Sequence, residues 1–209
     1  MNLHVPQRSL RPTAPATTRA AEGMARRAWT VAEVEAMVRA GIIGDEERVE
    51  LIGGELVPMA SKGPLHEDVK RLLNIYWARA LPAGATVLTE TTLRSGPIDF
   101  REPDFVFWPD AVRVADLKPA DVQLIVEISH SSLDYDLGRK MRYYASLGLS
   151  DYWVIDAQRL ATHIHREPRA DGYVSVVSHA HTALLTPLLL PSLSVRLADL
   201  GLEPVSETP

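Results

Sequence analysis

The sequence predicts a mixed α/β fold, and three segments carry the prediction. Val122–Ile128 is an apolar run with hydrophobic residues on both parities, Val122, Leu124, Val126 and Ile128 against Ile125, as expected of a strand covered on both faces. A helical segment from about Asp136 to Leu147, stopped by Gly148, leads into a second strand at Tyr152–Ile155, which completes a βαβ unit. Upstream, Leu65, Val69, Leu72, Leu73, Tyr76 and Ala80 recur at steps of three and four after Pro64, so one face of a helix should pack on the sheet.

In chain order, Thr30-Val-Ala-Glu33 has capping-box spacing and opens a short helix that ends near Gly41. Val49–Ile52 and Glu55–Pro58 flank Gly53-Gly54, a pair able to supply the positive φ values of a tight hairpin. Strands are expected at Thr86–Leu93 and Asp104–Trp108, ahead of the central run. Short alternating segments at Thr162–Arg166, Tyr173–Val177 and Ser194–Leu197 make the end of the domain β-rich. No internal repeat is evident.

The 209 residues suit one domain, expected over residues 29–202, with tails at 1–28 and 203–209. The first 28 residues hold five arginines and one glutamate with little apolar periodicity, and are expected to be a disordered extension. Their Arg-rich, acid-poor composition resembles a transit peptide, and Met24 is an alternative start. The remainder carries 17 basic and 26 acidic residues, which argues against a broad electrostatic grip on nucleic acid while permitting a bound divalent cation.

Cysteine is absent, so disulfides, a thiolate nucleophile and Cys-ligated zinc or iron–sulfur sites are excluded, and a cytoplasmic location is the expectation. No apolar run reaches the roughly 18 residues that span a bilayer, so no membrane role is expected. Gly-x-Ser-x-Gly, P-loop and Gly-x-Gly-x-x-Gly motifs are missing, which leaves serine-hydrolase, P-loop and Rossmann readings without support.

Three residues stand out chemically. Glu127 is a carboxylate at the end of an apolar strand, where an ion needs a metal, a lysine or several N–H donors to be tolerated. Asp104, after Glu102 and Pro103, begins another strand, so two strands can bring two acids together. Lys140 lies in the helix that follows Glu127 and either points back at the strand end or sits in solvent paired with Asp136 at i, i+4. Two acids and a lysine are the equipment of metal-dependent phosphodiester hydrolysis. Composition and spacing leave both readings of Lys140 open.

The ordered succession Glu50-Leu-Ile-Gly-Gly-Glu55-Leu-Val-Pro-Met59, His66, Glu102-Pro-Asp104, Ile125-Val-Glu127-Ile-Ser129, Asp136-Leu-Gly-Arg-Lys140, Tyr144, Gly148 and Asp151-Tyr-Trp-Val-Ile-Asp156 resembles the Uma-two family of bacterial endonucleases. The resemblance runs from about Trp29 to about Gly201 and implies a restriction-endonuclease-like PD-(D/E)XK fold, a curved mixed sheet flanked by helices. It implies Asp104 and Glu127 as ligands of Mg²⁺ or Mn²⁺, joined by the backbone carbonyl of Ile128. The simplest superfamily pattern has a lysine two residues after the second acid; here Ser129 stands there, so the role falls to Lys140. His66 matches the family's histidine, with a contact to the scissile phosphate or a metal-bound water as one role and a cap or core position as the other. Glu55 and Glu90 are further acids, read as structural or exposed.

The expected function is therefore a divalent-metal-dependent endonuclease acting on nucleic acid, DNA being the expected partner. The alternative is a nuclease-fold binding or regulatory module without turnover, favoured by Ser129 and by the acidic body. A homodimer is a further expectation, through the β-rich C-terminal region or the N-terminal helix. His163-Thr-His165 and His179-Ala-His181 form a less favoured candidate metal site, and Asp134-Tyr-Asp136 lacks the ligands of a calcium loop.

Overall fold

The apolar run at the centre of the chain forms the middle of a six-stranded mixed sheet. The computed structural model describes residues 27–44, 46–59 and 62–205. Helix α1 (Val31–Arg39) is capped by Thr30 and Glu33, which satisfy each other's backbone donors as the capping-box spacing predicts. Strands β1 (Val49–Ile52) and β2 (Glu55–Pro58) form the hairpin across Gly53 and Gly54, with φ of 57° and 82°. Helix α2 (Pro64–Ala80) begins with proline at its first position, where the missing N–H costs nothing.

Strands β3 (Ala85–Leu88), β4 (Leu93–Gly96), β5 (Asp99–Arg101), β6 (Phe105–Pro109) and β7 (Leu124–Ser129) follow. A continuous helical stretch comes next: α3 (Leu133–Tyr135), a π turn (Asp136–Lys140) and α4 (Met141–Ser146). Strands β8 (Asp151–Asp156), β9 (Thr162–Arg169) and β10 (Gly172–His179) complete the set.

The large sheet has the order β10-β9-β8-β7-β6-β3 and a smaller one the order β2-β1-β5-β4. Only β7 and β8 pair in parallel in the large sheet, and the helical stretch between them makes the expected βαβ crossover. Leu124, Val126 and Ile128 face α2, where Val69, Leu73 and Trp77 are fully buried against Phe105 and Phe107. Ile125 faces the other way, toward Tyr144, Leu149, Tyr152 and Val154. Burial on both faces explains why this strand lacks a polar parity. Val34, Ile43, Leu51 and Phe100 close a third cluster between α1 and the small sheet.

Several expected boundaries are corrected. The single strand expected at Thr86–Leu93 is two strands in different sheets, because Glu90 adopts φ 55° and its N–H turns to Pro103 O at 3.1 Å. Val122 precedes the central strand, and the helix begins at Leu133 rather than Asp136. Ser194–Leu197 is not a strand; Val195 makes only an isolated bridge with Leu185. Residues 1–26, with the alternative start at Met24, and residues 206–209 lie outside the described residues. Among the described residues no helix is long and apolar enough to cross a membrane.

Candidate active site

Antiparallel pairing of β6 with β7 sets Phe105 against Val126, so Asp104 stands one register step further, beside Glu127. Both carboxylates are 4% exposed and line one cleft of about 260 Å³. Glu50 from β1 and Asp136 from the π turn line the same cleft and are also buried. Sequence reasoning thus joined the two strand ends that meet here, while Glu50 entered it only as part of a longer pattern and Asp136 also as the i, i+4 partner of Lys140 and in a rejected calcium-loop run.

Asp104 is held by three donors. The backbone N–H of Ile128 donates to Oδ2 at 2.8 Å, His66 Nε2 lies 3.0 Å from the same oxygen, and Lys62 Nζ donates to Oδ1 at 2.8 Å. Burial opposes its charge, but the His66 ring and the Lys62 ammonium outweigh burial and hold its carboxyl well below the usual carboxylate range. His66 is in the first turn of α2, and its Nδ1 lies 3.1 Å from Glu67 Oε1. Both ring nitrogens are therefore engaged.

Glu127 has the opposite balance. Tyr144 Oη donates to Oε1 at 3.0 Å, and Lys140 Nζ stands 3.0 Å from the same oxygen. Burial, joined by the neighbouring charges of Asp136, Asp104 and Glu50, pushes its carboxyl up to about 8 despite Lys140. Lys140 Nζ also lies 3.6 Å from Glu50 Oε1 and 3.6 Å from Asp136 Oδ1. Burial disfavours the Lys140 charge, but Glu127, Glu50 and Asp136 outweigh it and raise its pKa. The i, i+4 pairing with Asp136 exists, yet the lysine is buried and points back at the strand end.

A π turn makes this aim possible. Its wider winding, common at functional positions, places both Asp136 and Lys140 on the buried side. Asp136 is anchored by the Ser129 and Ser132 hydroxyls, the latter at 2.6 Å. Ser129, where the simplest pattern has lysine, is thus a second support of the helix that delivers Lys140.

Two further cations were not anticipated. Lys62 bridges Asp104 and Glu90, and Glu90 also accepts from Lys70 at 2.6 Å. Lys62 stands in a short polar segment without periodicity, so no sequence signal marked it. Arg101 is 2% exposed, donates to Leu51 O at 2.6 Å and Phe100 O at 3.0 Å, and lies over the Tyr143 ring. Its Nε lies 3.8 Å from Glu50 Oε2. Glu55 is exposed, and Glu90 belongs to the lysine cluster, in keeping with their structural reading.

The paired histidines do not converge on a metal site. His165 is buried between the Tyr152 and Tyr173 rings, with Nδ1 3.2 Å from Tyr152 O, and His181 lies 3.8 Å from Glu203. Among the described residues no group of three or more His, Cys, Asp or Glu side chains is arranged to enclose a metal ion. The cleft nevertheless fits a divalent cation in donor type and charge. Five carboxylates line it, Glu50, Glu102, Asp104, Glu127 and Asp136, and the two lysines on its wall engage oxygens of all but Glu102.

The family model described as Uma2, "Putative restriction endonuclease", matches residues 31–199. A solved structure titled as a putative nuclease belonging to DUF820, from Anabaena variabilis ATCC 29413, is similar in fold with a TM-score of 0.58. It shares 16% sequence identity, and the similarity covers 74% of this chain and 90% of that one. Comparison with curated proteins finds no match.

Proposed function

Since the chain belongs to the Uma2 family, we propose that it is a divalent-metal-dependent endonuclease that hydrolyses phosphodiester bonds in nucleic acid, with DNA as the substrate. The observation that supports this reading best is the meeting of Asp104, Glu127 and Lys140 in one buried cleft.

In this proposal Asp104, Glu127 and the backbone carbonyl of Ile128 hold Mg²⁺ or Mn²⁺. Two carboxylates and a backbone carbonyl, all oxygen donors, suit a hard cation that keeps water and substrate oxygens in its shell. When bound, the cation lowers the pKa of water and offsets charge on the phosphoryl group. Lys140 orients the attacking water and offsets developing negative charge. Tyr144 holds Glu127 through its hydroxyl, and His66 positions Asp104 through Nε2. Asp136, fixed by two serines, keeps Lys140 in register.

A second reading, a nuclease-fold module that binds without turnover, is favoured by one observation: Lys62, His66 and Ile128 N–H already engage the oxygens of Asp104. Calorimetric titration of Mn²⁺ into wild type and into an Asp104→Ala/Glu127→Ala double variant separates the two. The catalytic reading expects binding in wild type that is lost in the folded variant. Equal binding in both, or none in wild type even with a nucleic-acid oligomer present, contradicts it.

A further inference from the structure

Asp104 is built to bind a cation and, in this structure, a lysine side chain is that cation. Its Oδ2 is committed to two rigid partners, the Ile128 backbone of β7 and the His66 ring at the start of α2. Its Oδ1 receives Lys62 at 2.8 Å. Lys62 differs from the other two in its freedom: the ammonium rides on a flexible four-carbon stem, and its side chain is 16% exposed against 5% for Asp104. It also has a second acceptor already in place, since Nζ donates to Glu90 as well. Leaving Asp104 would strip the ammonium of one partner and keep the other. The same Glu90 Oε1 also accepts from Lys70 at 2.6 Å and lies 3.4 Å from Arg48 Nη1, so the receiving carboxylate is fixed in place.

We infer that Lys62 is a placeholder cation, which occupies Oδ1 of Asp104 in the metal-free protein and shifts toward Glu90 and the cleft when a divalent cation loads. The shifted ammonium then meets a phosphate oxygen of the bound strand. Lys62 is a substrate-contacting residue in this scheme, and the inference rests on the metal-dependent reading proposed above. Its consequence has a definite sign: removing a cation that competes for Oδ1 tightens the site for a divalent cation.

The test is a calorimetric titration of Mn²⁺ into full-length wild type, Lys62→Met and Lys62→Arg, each first checked for a cooperative thermal melt. Lys62→Met is expected to bind Mn²⁺ about tenfold more tightly than wild type, the scale of one charge-assisted hydrogen bond lost by the competitor. Lys62→Arg, which keeps the charge, is expected to stay near the wild-type affinity. Unchanged or weaker binding in Lys62→Met overturns the inference and leaves the metal reading standing, as does equal tightening in Lys62→Arg. Absence of Mn²⁺ binding in every form, including with oligonucleotide present, removes the metal reading and this inference with it. Should Lys62→Met fail to fold, Lys62→Gln carries the same comparison.

A second readout concerns the phosphate. With Ca²⁺, another hard cation with oxygen ligands, the salt slope for binding a single-stranded DNA oligomer is expected to fall by about 0.7 in Lys62→Met, one phosphate contact. Without Ca²⁺ the slope is expected to match that of wild type. The same slope change in both conditions contradicts a metal-driven shift.

Discussion

Lys140 Nζ stands 3.0 Å from Glu127 Oε1, a buried ion pair between the π turn and the last part of β7. The pair is crowded rather than private, for Glu50 and Asp136 share the same ammonium at 3.6 Å. One cation facing three acids leaves an excess of negative charge that a proton or a metal can offset. The nuclease proposal draws on that imbalance.

The first prediction concerns pH. Burial and neighbouring acids raise Glu127 from 4.5 to about 8, so between those values the folded chain binds a proton that the unfolded chain has released. The stability this group contributes is therefore full below about pH 4.5 and lost as pH rises toward 8. Asp104, whose pKa is lowered, acts with the opposite sign: its contribution is present above its unfolded value of 3.8 and lost as pH falls. Metal-free protein should be most stable near pH 5, and Glu127→Gln should regain about 2–4 kcal/mol at pH 9 relative to wild type. Urea unfolding at pH 5 and 9 in chelator measures both.

Loss of Lys140 should be costly in a pH-dependent way. Lys140→Met leaves Glu127, Glu50 and Asp136 buried without their shared cation, a change worth about 3 kcal/mol at pH 8. The cost should shrink at pH 5, where Glu127 carries a proton. Denaturation curves at the two pH values test this, and Mn²⁺ affinity in the same variant should be no weaker than in wild type. Cleavage should be lost.

The hairpin between β1 and β2 supplies a comparison that involves no charge. Gly53 and Gly54 both have positive φ, but a Cβ on Gly53 meets nothing within 4 Å, whereas one on Gly54 would lie 2.6 Å from Ala28 Cβ and 2.8 Å from its Cα. Gly53→Ala should cost about 1 kcal/mol from backbone strain alone. Gly54→Ala should cost about 2–3 kcal/mol, because the segment carrying Ala28 and Trp29 must also move. Thermal unfolding of the two variants side by side gives the difference.

Much of this architecture was legible because it rests on periodicity. The two apolar parities of Val122–Ile128 announced a doubly covered strand, and the three-and-four spacing after Pro64 announced α2. A polar residue in an apolar run marked Glu127, an acid at a second strand start and a lysine in the following helix marked Asp104 and Lys140, and the ordered pattern added His66. What periodicity could not carry was local winding. A π turn shifts the register of the helix, so the burial of Lys140 does not follow from its spacing to Asp136. The break at Glu90 was equally hidden, because β-prone residues on both sides read as one strand. Lys62 sits outside any regular element, and only the fold brings it to Asp104.

The most direct measurement is multiple-turnover cleavage of a panel of single-stranded, duplex and branched nucleic acids in Mg²⁺ or Mn²⁺ by wild type and by folded Glu127→Gln. This substitution keeps the shape of the side chain and removes its charge. The account predicts cleavage by wild type that stops in chelator and falls by at least about a hundredfold in the variant. Equal cleavage by both proteins, or no cleavage of any substrate by wild type, would contradict it.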